Sequence, residues 1–180
     1  TAEGIDPAVA RLAFPGGPMD LVAGWVAAVD ADMAAEFADG RLGNLPVRER
    51  ISRLVWFRLT AVAGRQEALR RALAIQAMPQ NLAASLRLGW GSADKMWRLA
   101  GDAATDYNHY TKRAILAGIY AATLTVFVAD ESEGKADTQA FLARRIDGVM
   151  RFEKAKARLL SGREHFEPMR FLGRLRYPAR

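Results

Sequence analysis

The sequence predicts an all-α helical bundle, and three observations carry the prediction. Apolar residues recur at helical spacing through most of the 180 residues. Proline or a small polar residue opens these stretches, and glycine or proline closes them. Runs with the two-residue alternation of a strand are nearly absent. The composition, 51% hydrophobic and 26% charged, is that of a globular chain rather than a disordered one. This length is enough for one domain with a sizeable core.

Each element can be read in order. Phe14-Pro15-Gly16-Gly17-Pro18 is a turn, after which Leu21, Trp25, Val29, Met33 and Phe37 repeat every fourth residue and predict a helix over 18–39. Gly40 to Asn44 forms a loop. Pro46 opens a second helix with Val47, Ile51, Leu54, Val55 and Val62 inward, and an Ala-rich third runs from Gln66 to Met78, where Pro79 stops it. Residues 81–88 are expected to make a short helix broken at Gly89-Trp90-Gly91, with Ser92 capping the next. From Asn108 to Ala129 the chain is apolar on all faces once past Lys112 and Arg113, which predicts the central helix of the bundle. The sixteen residues from Ala114 to Ala129 are short for a membrane span, and the charged flanks sit close, so a core helix is expected. Asp130 to Ala136 reads as a polar loop, and Asp137 as the cap of a long last helix through Phe141, Ile146, Val149, Met150 and Leu159.

The tail is chemically distinct. Residues 1–137 hold 15 Lys+Arg against 16 Asp+Glu, whereas residues 138–180 hold 11 against 4, so the whole positive excess is C-terminal. Pro168 can open a helix in which Met169, Leu172 and Leu175 share a face, with Phe171 beside them and Arg170, Arg174 and Arg176 around it. Apolar groups flanked by arginines suit the headgroup level of an anionic bilayer.

A search for chemistry returns little. The chain has no cysteine and only two histidines, His109 and His165, neither at ligand spacing from another. Asp102 and Asp106 are four apart, a weak pairing that helix-start charges explain equally well. No phosphate-cradling loop or nucleophile elbow occurs. The expectation is a protein without catalytic residues, metal or cofactor. What remains is apolar volume. Trp25, Leu54, Trp56 and Leu124, with the small residues Ala114, Ala117, Gly118 and Ala121, are the candidate walls of a ligand cavity between helices.

Two stretches add a resemblance. Gly4 to Pro15, followed by Pro18-Met19-Asp20-Leu21, resembles the end of a helix-turn-helix running into the ligand-binding bundle of TetR-type regulators. Asp94-Lys95-Met96-Trp97-Arg98-Leu99-Ala100-Gly101-Asp102 and Thr105 to Tyr120 closely resemble the signature of the family of the ninth coenzyme Q biosynthesis protein. That resemblance implies a TetR-regulator-like bundle. Residues 1–17 would be a helix-turn-helix remnant, 18–162 a lipid-binding bundle, and 163–180 a membrane-contacting tail. It further implies a non-enzymatic, homodimeric accessory protein of ubiquinone biosynthesis that binds isoprenoid quinone intermediates or other long-chain lipid. Such a protein would present its ligand to the di-iron demethoxyubiquinone hydroxylase. It would lie peripherally on an anionic membrane surface, at the cytoplasmic face of a bacterial inner membrane or the matrix face of the mitochondrial one. Carried over by motif, the partner-binding residues are Met96, Trp97, Asp106, Asn108, His109 and Tyr110; the family often has tryptophan where His109 stands. The helices that would cross a DNA backbone are not among these residues, so no nucleic-acid partner is expected. The second reading is the ligand-sensing domain of a TetR-type transcription regulator.

Overall fold

The computed structural model describes residue 4, residues 6–103 and residues 107–161. They form helices α1 (Pro7–Ala13), α2 (Pro18–Glu36), α3 (Val47–Ala61), α4 (Gln66–Ala77), α5 (Leu82–Leu99), α6 (Tyr107–Ala129) and α7 (Ala136–Ser161), with no strand among the described residues. The all-α expectation is met. The chain divides into two compact units, residues 1–143 and 144–180. In the second, the described residues 144–161 continue α7. The proposed tail contacts Met169, Arg170, Phe171, Leu172, Arg174 and Leu175 lie outside the described residues.

Local chemistry sets the helix ends. Gly17, at φ 79°, turns the chain into α2, and Pro18 at the first helical position pre-sets the backbone. Strict four-residue spacing drifts around a 3.6-residue helix. Accordingly Leu21 is half exposed, and the buried face of α2 is Val22, Val29, Asp30 and Met33. At the start of α7 the Asp130 carboxylate, rather than Asp137, does the capping. It accepts the Ser132 and Thr138 amides at 2.8 Å each, and both hydroxyls as well. These bonds from Ser132 and Thr138 outweigh its burial and hold the Asp130 carboxyl far below the usual carboxylate range.

Two expectations are corrected. Gly89 and Gly91 do not break the chain: α5 runs unbroken from Leu82 to Leu99, and Ser92 is buried in its interior. Glycine lowers helix propensity by only about 1 kcal/mol, which packing on several sides overrides. The central helix is α5, which packs against α2, α3, α4 and α6. The apolar α6 buries one side. Although expected to be short for a span, over the 21 residues His109–Ala129 it is long and apolar enough to cross a membrane, by length and composition alone, because the helix extends back past Lys112 and Arg113. Inward stand Arg113, Leu116, Thr123, Leu124 and Phe127; outward stand Tyr110, Ala114, Gly118, Ala121 and Thr125.

Candidate functional site

The first unit contains an apolar cavity of about 70 Å³ among α2, α3, α4, α5 and α6. Its walls include Val22, Trp25, Val26 and Val29 of α2, Leu69, Ala72, Leu73 and Gln76 of α4, Leu88 and Gly89 of α5, and Tyr120 and Leu124 of α6. Trp25 and Leu124 of the expected lining are there. Leu54 is fully buried in the core and Trp56 half-buried, and neither reaches the cavity. The small residues expected to face a ligand turn away. Ala114, Gly118 and Ala121 are exposed, Ala117 is half-buried, and none lines the cavity. A helix apolar all round does not announce its inner face; that face carries Leu116, Leu124 and Phe127, with Arg113 paired to Asp94 of α5 and to Asp102 beyond its end.

Beside the cavity lies a charged cluster that periodicity did not single out. Arg58 is 2% exposed and Asp30 4%, and the guanidinium Nη1 donates to Asp30 Oδ1. Lys95 Nζ, 3.0 Å away, and Ser92 Oγ, 3.4 Å away, donate to Asp30 Oδ2. Arg58 also lies over the Tyr120 ring, 4.9 Å from its centroid, and is itself a wall of the cavity. The signal was present: Asp30 sits between Val29 and Met33, and Arg58 is in phase with Ile51, Leu54 and Val55. Opposite charges on two inward faces mark a buried pair.

A second cluster fixes the corner between α5 and α6. Helix α5 ends in a Schellman turn: the Gly101 amide bonds the Arg98 carbonyl, the Asp102 amide bonds the Trp97 carbonyl, and Gly101 takes φ 87°. Arg50 reaches across to donate to the Ala100 carbonyl at 2.8 Å. The turn presents Asp102 to Lys112 (2.7 Å) and Arg113 (3.1 Å), while Asp94 receives Arg113 Nε at 2.6 Å and Arg98 at 2.7 Å. Burial pushes both carboxyls up. At Asp94 the hydrogen bond from Arg113 and the charge of Arg98, and at Asp102 the hydrogen bonds from Lys112 and Arg113, outweigh it and leave both below the usual value.

This corner carries the expected partner patch, though not all of it. Tyr110 is 61% exposed and stacks near Trp90, with centroids 6.0 Å apart. His109 is half-buried, edge-on to Tyr110 at 5.1 Å. Trp97 is half-buried, its indole N–H donating to the Lys112 carbonyl at 3.0 Å and its ring under the Lys112 ammonium. Met96 is fully buried and belongs to the core, because its side of α5 faces the bundle. Asn108 stands in the first turn of α6, and Asp106 lies outside the described residues. Among the described residues, no three His, Asp or Glu side chains gather as a metal site would require.

Comparison with known proteins falls on this same region. Residues 82–153, from the start of α5 well into α7, match the COQ9 family model. The chain is 49% identical over 80 residues to the mitochondrial ubiquinone biosynthesis protein COQ9 of Rattus norvegicus, covering 44% of this chain and 26% of that protein. It is 30% identical over 139 residues to the mitochondrial coq9 protein of Schizosaccharomyces pombe, covering 77% of this chain and 55% of that one. The match to the probable coq9 protein of Dictyostelium discoideum is 22% over 171 residues, 87% of this chain and 56% of that one. The chain thus spans about half the length of the latter two relatives. Residues 82–153 match the COQ9 family model, and the chain is similar to the COQ9 ubiquinone biosynthesis proteins.

Proposed function

We propose that this chain acts in ubiquinone biosynthesis as a non-enzymatic accessory protein, which holds an isoprenoid quinone intermediate or related long-chain lipid and presents it to the di-iron demethoxyubiquinone hydroxylase. The observation that carries the reading is the apolar cavity walled by Trp25 and Leu124, bordered by helices of the region that matches the COQ9 family model. Burial of apolar ligand surface contributes about 25 cal/mol per Å². A volume of about 70 Å³ takes one end of such a ligand, not a whole polyprenyl chain.

The remaining features have places in this scheme. Tyr110, with Trp97 and His109 beside it, is the docking surface for the hydroxylase, since aromatic side chains concentrate at interface centres. The outward face of α6, with Ala114, Gly118 and Ala121, is small and apolar enough for a second copy to pack closely, giving a homodimer. The basic C-terminal segment attaches the protein peripherally to anionic lipid. That surface would be the matrix face of the mitochondrial inner membrane, where relatives named mitochondrial support it, or the cytoplasmic face of a bacterial one.

The test is organic extraction of the natively purified chain, followed by mass spectrometry. An isoprenoid quinone or long-chain lipid is expected at a substantial fraction of one per chain. Protein that yields no lipid, and takes up none from vesicles containing ubiquinone, overturns the reading.

A further inference from the structure

We infer that Arg58 reads an oxygen atom of the ligand, so that the cavity takes the oxygen-bearing edge of a head group, a ring carbonyl or hydroxyl, with the apolar chain trailing out of the mouth. The inference rests on the cavity being the lipid site proposed above, and adds the orientation and the residue that imposes it.

Three observations carry it. Arg58 is a wall of the cavity and almost wholly buried, and its Nε–H has no acceptor in the protein. Buried guanidinium donors are costly when unsatisfied, so an acceptor delivered by a ligand is worth more here than at the surface. The neighbouring carboxylate is already engaged: Asp30 receives Arg58 at one oxygen, and Lys95 and Ser92 at the other. Two cations therefore share one carboxylate. The excess positive charge favours an electron-rich oxygen, neutral or ionised, at the Arg58 wall.

Size points the same way. The cavity's roughly 70 Å³ is about half of the ~150 Å³ that encloses a benzene ring, so it receives the edge of a ring rather than a coiled chain. The other walls (Val22, Val29, Leu69 and Leu124 among them) are apolar and suit the ring carbons next to that oxygen. Trp25, Gln76 and Gly89 are half-buried wall residues, where the rest of the molecule can leave. A ligand entering tail first would place hydrocarbon against a buried cation and leave its oxygens outside.

The experiment compares two probes on the full chain: a tail-less dimethoxy-methyl-benzoquinone, and squalene, an isoprenoid hydrocarbon without oxygen. Binding is measured by calorimetry for wild type, for Arg58→Met, and for the double variant Asp30→Asn with Arg58→Met. The double variant removes both charges together and so leaves no buried carboxylate short of its partner. The expected result is a loss of about tenfold or more in benzoquinone affinity in both variants, the loss typical of a hydrogen bond to a charged group, with squalene binding little changed. Three outcomes overturn the inference while leaving the lipid cavity standing. In the first, the folded double variant binds benzoquinone as wild type does; in the second, it loses both probes equally. In the third, wild type holds squalene and refuses benzoquinone. If wild type binds neither probe, the lipid reading falls and the inference falls with it.

Discussion

Met96 and Tyr110 share a motif and the same expected role, yet the fold gives them opposite surroundings. Met96 is fully buried and Tyr110 is 61% exposed. A methionine or aromatic residue in a helical stretch is compatible with either position, so residue type alone did not separate them. Met96→Ala is expected to cost about 2–5 kcal/mol of stability, read from urea denaturation, because a core truncation loses transfer energy and leaves a cavity. Tyr110→Ala should leave the denaturation midpoint nearly unchanged and weaken hydroxylase binding by more than about 1 kcal/mol in titration calorimetry. Loss of stability in the Tyr110 variant with normal hydroxylase binding would make it a structural residue.

At the scale of elements, the sequence located most helices and misread the middle of one. The glycines at 89 and 91 carried a break signal, and it was overridden because α5 is held by neighbours along its length. A Cβ at Gly91 would meet nothing within 4 Å, so Gly91→Ala should raise stability by about 0.5–1 kcal/mol. Gly101→Ala should do the reverse, by about 1 kcal/mol: φ there is 87°, and the added carbon would lie 3.1 Å from Arg50 Nη1. Thermal melts of the two variants are expected to move in opposite directions. The α5–α6 corner also has a pH signature. The native pKa values of Asp94 and Asp102 lie below the ordinary 3.8, so the native state binds fewer protons than the unfolded one. Their contribution is therefore complete above that value and is lost as pH falls through the depressed native values. Between about pH 5 and pH 2, the urea midpoint should fall less steeply in Asp102→Asn than in wild type.

For the whole molecule, the informative quantity is the distribution of charge. The net of +6 is concentrated in the last quarter of the sequence, and the proposal of lipid contact there rests on that concentration. Deleting residues 163–180 should greatly reduce flotation with anionic vesicles while preserving the helical circular dichroism of the bundle. Raising salt should weaken wild-type flotation, because the Debye length shrinks from about 10 Å at 0.1 M to about 3 Å at 1 M. Undiminished flotation of the shortened chain would remove the tail from the membrane scheme and turn attention to the outward face of α6.

The sequence by itself determined the helical class, the approximate ends of α2, α3, α4, α6 and α7, the charge asymmetry and the COQ9-like signature. All of these are local: propensity, capping, periodicity and composition act over a few residues to a few turns. Only tertiary structure decided which helix is central, which side of α6 is inward, and that Asp30, Arg58, Ser92 and Lys95 meet at one point beside the cavity. Those facts depend on contacts between residues as much as 65 positions apart. On an all-apolar helix the hydrophobic pattern is nearly degenerate, and the inward face of α6 is defined only by what it meets: the core at Leu116, Leu124 and Phe127, and Asp94 and Asp102 at Arg113.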